Sequence, residues 1–311
     1  MRRTRSEEVV ELLRRNGYTA IFLPFSRFEE VKNEILELHK SRKLDKEFYD
    51  EWMPTYLDAK PPKSMPNPRS ILLVSTGNRQ RIVTFRLDGR VHRFIVPPTY
   101  GMGPKVRSKV RSILRGKRGK MPFRAVNANP PLKLLAVKSG LAMYGRNNIT
   151  YVPGLGSFHR LIAFYTDVEA PEGNWSEKIS LPKCGRCRAC LAACPTHAID
   201  DDRFLLRAER CLTCLNERDS SHEFPSWVKQ EWHNAIVGCM ICQRVCPYNR
   251  DFVDQTEDGP CFSEEETRFL LSGRYKNKKG VILEKKLKLA GLDLSIFPRN
   301  LQVLLGKPSP T

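Results

Sequence analysis

A mixed α/β fold, with helices and strands interleaved in the α+β manner, is predicted for roughly the first 175 residues, ahead of a cysteine-rich segment and a short helical tail. Three observations predict it. Apolar stripes at helical spacing alternate with short β-branched runs through the first half of the chain. Asp88-Gly89 separates two alternating runs, the strongest short-range signal for a two-residue hairpin. Beyond residue 180, periodicity fades and cysteine density rises: nine of the ten cysteines fall between Cys184 and Cys246.

Taken in order, residues 6–16 place Val9, Val10, Leu12 and Leu13 for a short helix that ends near Gly17. Residues 18–23 read as a strand closed by Pro24. Ser26-x-x-Glu29 has the capping-box pattern and opens a helix to about His39, with Phe28, Val31, Ile35 and Leu38 on one face. Residues 54–68, rich in Pro and Lys, read as a surface loop. Residues 70–76 form an apolar strand, and residues 81–87 and 91–96 form the hairpin. A helix follows over 105–114, with further strands over 123–126 and 149–152. The expected domains are 1–175, 176–260 and a tail over 261–311 with two helices. One follows Phe262-Ser263; the other spans 283–289.

The chain has 311 residues, and no run of 18 apolar residues appears, so a membrane-spanning helix is not expected. The N-terminus, MRRTRSEEVVELLRR, mixes acids and bases without an apolar core and does not read as an export signal. The expected location is the cytoplasm, where thiols stay reduced and ten cysteines favour metal ligation over disulfides. A net charge of +19 favours a polyanionic partner. Between Lys105 and Lys120 the chain carries eight Lys/Arg and no acid. Val106, Val110, Ile113 and Leu114 make the apolar stripe there, which leaves a cationic opposite face suited to RNA or to an acidic electron donor such as a ferredoxin or flavodoxin. Lys276, Lys278, Lys279, Lys285, Lys286 and Lys288 add a second basic cluster.

Cys184-x2-Cys187-x2-Cys190-x3-Cys194-Pro195 matches the ligand run of bacterial two-cluster ferredoxins. Three cysteines two residues apart wrap three corners of one cubane within a single loop. The fourth, displaced by an extra residue, reaches a second cluster. Pro195 fixes φ and turns the chain away. Cys239-x2-Cys242-x3-Cys246-Pro247 repeats the run without its first cysteine, and Ile236 occupies that place. Crossing the two runs gives one [4Fe–4S] cluster on Cys184, Cys187, Cys190 and Cys246. A second takes Cys194, Cys239 and Cys242, with Cys211 or Cys214 as the fourth ligand. Structural zinc sites show two separated cysteine pairs, a different spacing.

The stretch SGLAMYGRNNITYVPGLGSF from Ser139, followed by CGRCRACLAACPTHAI, RCLTCL and GCMICQRVCPYN, resembles epoxyqueuosine reductase, a group related to the reductive dehalogenases. That resemblance implies a nitroreductase-like cobalamin-binding domain followed by a ferredoxin-like double-cluster domain. It also implies electron flow from the clusters to a base-off cobalamin, reduction of a substrate above the corrin, and tRNA as the carrier of that substrate. It supports Cys211, in Glu209-Arg210-Cys211, as the second cluster's fourth ligand. By the same resemblance the cobalamin contacts are Ser139, Gly140, Tyr144, Gly145, Arg146, Asn147, Gly156 and Ser157. Glycines there admit close backbone approach, and Asn or Ser side chains can bond the corrin's amides.

The departures from that family are specific. Val126-Asn127-Ala128-Asn129-Pro130 occupies the place of a V-D-x-x-P strand, so Asn127 stands where the acidic proton donor should be. A carboxamide cannot deliver a proton at neutral pH. Tyr144 and Arg146 replace the family's Trp and Lys, and Tyr144 becomes the alternative proton donor if a neighbouring cation tunes its phenol. His159 and Arg160 follow the Gly156-Ser157 turn, where a helix-start packing role is expected. The leading expectation is an oxidoreductase with two clusters and cobalamin. An electron-transfer protein without bond chemistry, and an RNA-binding relative that keeps clusters for stability, are the alternatives.

Overall fold

The computed structural model describes residues 4–57, 60–101, 103–116, 123–173, 175–177 and 180–306. The chain divides into two compact units, one of residues 1–77 and 103–187, the other of 78–102 and 188–311. This division is discontinuous in sequence, unlike the three consecutive segments expected above.

The first unit opens with α1 (Arg5–Arg15), capped by Thr4 and Glu7 in a reciprocal capping box. β1 (Thr19–Pro24) follows, then α2 (Ser26–Lys40). Ser26 is the first helical residue of α2 and not its cap; Phe25 holds the cap position without a side-chain bond, so the expected capping box does not form. α3 (Lys46–Leu57) runs into the segment expected to be loop, with Pro54 inside it. The Asp45 carboxylate accepts from the Phe48 amide at 2.8 Å and starts that helix. β2 (Ser70–Gly77) closes the first part of the unit.

β3 (Gln80–Leu87) and β4 (Arg90–Val96) form the predicted hairpin, with Asp88 and Gly89 both at positive φ, as a primed turn requires. The hairpin belongs to the second unit, whose remaining strand is described below.

The chain then returns to the first unit through α4 (Gly103–Arg115), β5 (Ala125–Ala128) and α5 (Leu132–Lys138). Lys117, Arg118 and Lys120 of the basic stretch lie outside the described residues. β6 (Met143–Tyr144) and β7 (Thr150–Tyr151) make a two-residue ladder around the loop 145–149. β8 (His159–Thr166) is almost wholly buried. The main sheet has the order β1-β2-β8-β5, antiparallel at every pairing. His159 therefore begins one of the two inner strands and not a helix. The run HRLIAFYT is too short and too uniformly apolar for periodicity to separate strand from helix. Ile71, Leu73, Leu135, Val137 and Ala163 pack at zero exposure in this unit's core. Each such Leu, Ile or Val contributes about 1.5–3 kcal/mol by leaving water.

The second unit continues with short helices α6 (Ala189–Ala193), α7 (Leu212–Glu217) and α8 (Ile241–Arg244), separated by irregular chain. β9 (Thr256–Phe262) then lies parallel to β3, which gives the sheet order β4-β3-β9. α9 (Glu264–Ser272), α10 (Lys278–Ala290) and α11 (Arg299–Leu304) complete it. α9 opens with a Ser263/Glu266 capping box, as Phe262-Ser263 implied. The tail is not an appendage. Leu270, Leu283, Leu287, Ala290 and Leu301 share one core with Val83, Phe85 and Phe262. The Phe85 and Phe262 rings stack there at 5.0 Å.

Candidate iron–sulfur and cofactor site

Seven of the nine clustered cysteines lie in the second unit, each on or beside a short helix. Cys190 is the second residue of α6 and Cys194 its C-cap. Cys211 caps α7, with Cys214 inside it. Cys242 is on α8, while Cys246 immediately precedes Pro247. α6 packs against α8, which brings the first cysteine run beside the second. Short helices suit this work, since their free N-terminal amides point at developing thiolates. Cys211 shows the effect. A hydrogen bond with Cys214 and the amides of Thr213 and Cys214 outweigh its burial and bring its thiol down to about 7.

Cys239 is pushed up to about 11, chiefly by burial, although the Asn234 amide donates to its sulfur at 3.2 Å. Charge on Cys211 and Cys194 raises it further. Cys194 and Cys211 are thus each within electrostatic reach of Cys239. Neighbouring thiols of this kind are a donor set that a cationic iron cluster would satisfy, and all three are half-buried. Cys261 lies on β9, exposed, apart from this set.

Cys184 and Cys187 fall at the end of the first unit. Cys184 sits in a single 3-10 turn, Pro182–Gly185, and its amide donates to Leu181 O at 2.9 Å. Arg146 clamps this segment. Its Nη2 donates to Cys184 O at 2.7 Å and its Nε to Cys187 O at 3.2 Å.

The other residues named for the cofactor are mostly engaged by the protein itself. Ser139 is the C-cap of α5, and its hydroxyl donates to Ala136 O at 3.1 Å. Asn147 is buried; its Nδ2 donates to the Tyr151 hydroxyl at 3.1 Å and its Oδ1 accepts from the Ile149 amide at 3.3 Å. Gly145 must be glycine, because a Cβ would stand 2.6 Å from both Asn147 Oδ1 and the Tyr151 ring. Ser157 is fully buried, and Gly156 takes φ +56° in the turn before β8. Gly140 differs. It takes φ +77° with open space where a Cβ would stand, so a flat macrocycle can come against its backbone.

Tyr144 is buried in the apolar core, and its carbonyl accepts from the Leu181 amide at 2.8 Å. Its phenol is raised well above its ordinary value, first by burial and then by the charge of Glu34. A tuning cation is absent from those causes, because Arg146 turns to the cysteine carbonyls. His159 lies at the start of β8, held neutral by burial with its pKa lowered to about 4. Its Nε2 bonds Thr150 O at 2.9 Å, and its buried Nδ1 has no hydrogen-bond partner.

Asn127 is exposed on β5 and lines an open cleft of about 740 Å³ with Pro104, Arg107, Ser108, Arg111, Ser112, Arg115 and Gly116. Arg111 Nη2 donates to Asn127 Oδ1 at 3.1 Å. That contact was not anticipated from the sequence, although arginines at 107, 111 and 115 share one helix face by spacing alone.

Residues 183–249 match a 4Fe-4S double cluster binding domain. The epoxyqueuosine reductase of Vibrio cholerae serotype O1 is 32% identical over 178 residues, covering 57% of this chain and 45% of that protein. The enzyme of Cyclobacterium marinum is 36% identical over 115 residues, 37% of this chain and 36% of its own. A crystal structure of epoxyqueuosine reductase with an epoxyqueuosine-modified tRNA-Tyr stem loop superimposes with a TM-score of 0.66 at 19% identity, covering 96% of this chain and 80% of that one. The chain has the fold of the epoxyqueuosine reductases. The Bacillus subtilis epoxyqueuosine reductase agrees, with a TM-score of 0.64 over the same coverage. The chain spans about half the length of the curated epoxyqueuosine reductases it matches. Among the described residues no helix is long and apolar enough to cross a membrane.

Proposed function

We propose that this protein is an iron–sulfur reductase of the epoxyqueuosine reductase type, in which two [4Fe–4S] clusters feed electrons to a bound cobalamin. The observation that carries the reading is the Arg146 clamp. It ties the Gly140–Asn148 loop, through Cys184 O and Cys187 O, to the segment that opens the cluster-ligand run. One cluster takes Cys184, Cys187, Cys190 and Cys246; the other takes Cys194, Cys211, Cys239 and Cys242. The influence of Cys194 and Cys211 on Cys239 supports the second set.

Cobalamin, when bound, would supply a strongly reducing low-valent cobalt, which no side chain can. The chain's own part is narrower. The backbone at Gly140 accepts the flat face, Arg146 fixes the loop against the cysteine segment, and burial of the loop's polar side chains leaves little for water to solvate. Asn127 holds the substrate by hydrogen bond, steadied by Arg111. The substrate is an epoxide-bearing nucleoside in tRNA, as in the relative solved with a modified stem loop. The donor is a small acidic electron carrier docking on a basic surface, with +19 net charge drawing it in.

Anaerobic purification with iron, sulfide and cobalt analysis tests this. About eight irons per chain and a visible spectrum altered by added cobalamin are expected, from two cubanes of four irons. Zinc, or failure to bind cobalamin, overturns it. Asn127 favours a second reading, an electron-transfer protein with no bond chemistry, since among the described residues no carboxylic acid lines its cleft. Turnover of an epoxide with an artificial donor decides against that reading.

A further inference from the structure

The cleft beside β5 is lined by three guanidinium groups, two serines and one amide and, among the described residues, by no acid or cysteine. Arg107, Arg111 and Arg115 recur every fourth residue of α4, a row about 12 Å long at 1.5 Å rise per residue. No carboxylate among the described residues forms an ion pair with any of them. Arg107 Nη2 donates to Ala128 O at 3.2 Å and Arg111 Nη1 to Ala125 O at 3.1 Å. Those two bonds aim the pair along the strand's edge. Arg107 Nε is buried without a hydrogen-bond partner. Burial and then the charge of Arg111 lower Arg107, while burial and then the charge of Arg115 lower Arg111.

Like charges held this close, partly out of water and unpaired, cost stability until an anion joins them. We infer that this cleft is a binding site for a phosphate-bearing small molecule. Phosphate fits better than carboxylate. One guanidinium fork saturates a carboxylate, whereas three forks with hydroxyls at Ser108 and Ser112 between them match a group with three acceptor oxygens. A cleft of about 740 Å³ accommodates a ligand of nucleotide size. The inference concerns the cleft in which the reductase reading places its substrate at Asn127, but phosphate binding there needs neither clusters nor cobalamin, so its failure and that of the reductase reading are separable.

The test is calorimetric titration of the full chain, without added cobalamin, using pyrophosphate, AMP, adenosine and succinate in turn. Pyrophosphate and AMP are expected to bind and to compete, with adenosine and succinate at least tenfold weaker. Arg111→Gln is expected to weaken AMP tenfold or more. Arg115→Gln, at an exposed residue with no internal bond to lose, is expected to weaken it severalfold with an unchanged melting temperature and a shallower salt dependence. Equal binding of AMP and adenosine, preference for succinate, binding of neither phosphate compound, or wild-type affinity in both variants would each overturn the proposal. So would a tRNA stem loop that binds in an Arg111-dependent way while pyrophosphate does not.

Discussion

Arg146 Nη2 lies 2.7 Å from the carbonyl oxygen of Cys184, and its Nε reaches Cys187 O three residues on. One planar fork thereby fixes the spacing of the two cysteines proposed to meet adjacent corners of a cluster. A hydrogen bond from a charged donor contributes about 1.5–3 kcal/mol. Arg146→Ala should leave the segment slack, and Arg146→Lys should recover part of the loss through one point donor. Chelator-driven iron release, followed at visible wavelengths, is expected to run fastest in the alanine variant, with lysine between. Equal rates in all three proteins would show that the clamp does nothing for the cluster.

The pair Cys211 and Cys214 offers two candidates for one coordination site. Cys211 receives amide hydrogen bonds at the N-terminus of α7, which is the environment that favours a thiolate. Cys211→Ala should therefore reduce reconstituted iron to about four per chain, one cubane. Cys214→Ala should retain about eight. The reverse pattern would move the ligand to Cys214.

Much of this was legible before any coordinates. The Asp88-Gly89 hairpin and the Ser263 cap are local signals whose meaning is set by a few adjacent residues, and each has its expected structure. β8 and β9 were not legible. β8 reads as one apolar run because both its faces are covered, so no alternation marks it. β9 contains Gly259, Pro260 and an exposed Cys261, and it exists because β3 supplies its partner. The site shows the same division. Candidate residues could be named from the loop 139–148, but spacing could not reveal that Ser139, Arg146 and Asn147 bond inward.

His159 makes stability depend on pH. Its folded value is lowered to about 4 by burial, against 6.5 for an exposed imidazole. Between those values the unfolded chain binds the proton and the folded chain does not, so stability rises with pH across that window. The contribution is complete above pH 6.5, and about 3 kcal/mol is lost on acidification toward pH 4. His159→Gln removes the titrating group. Urea unfolding at pH 5 and pH 7 should show a smaller difference in the variant than in the wild type. His233, also lowered to about 4 by burial, leaves the variant a residual slope of the same sign.

Restoring the missing carboxylate is less simple than Asn127→Asp. Arg111 already donates to the position that an aspartate oxygen would take. A guanidinium at that distance lowers a carboxyl pKa by about 1–3 units, so the new group stays ionised at neutral pH and has no proton to give. Asn127→Asp alone should then raise epoxide turnover only on acidification below about pH 5. Pairing it with Arg111→Leu removes the cation and lets the carboxyl drift upward. The double variant should gain turnover nearer pH 7, measured with a reduced viologen as donor. If the single variant gains as much at pH 7 as the double, Arg111 does not control the proton at this position.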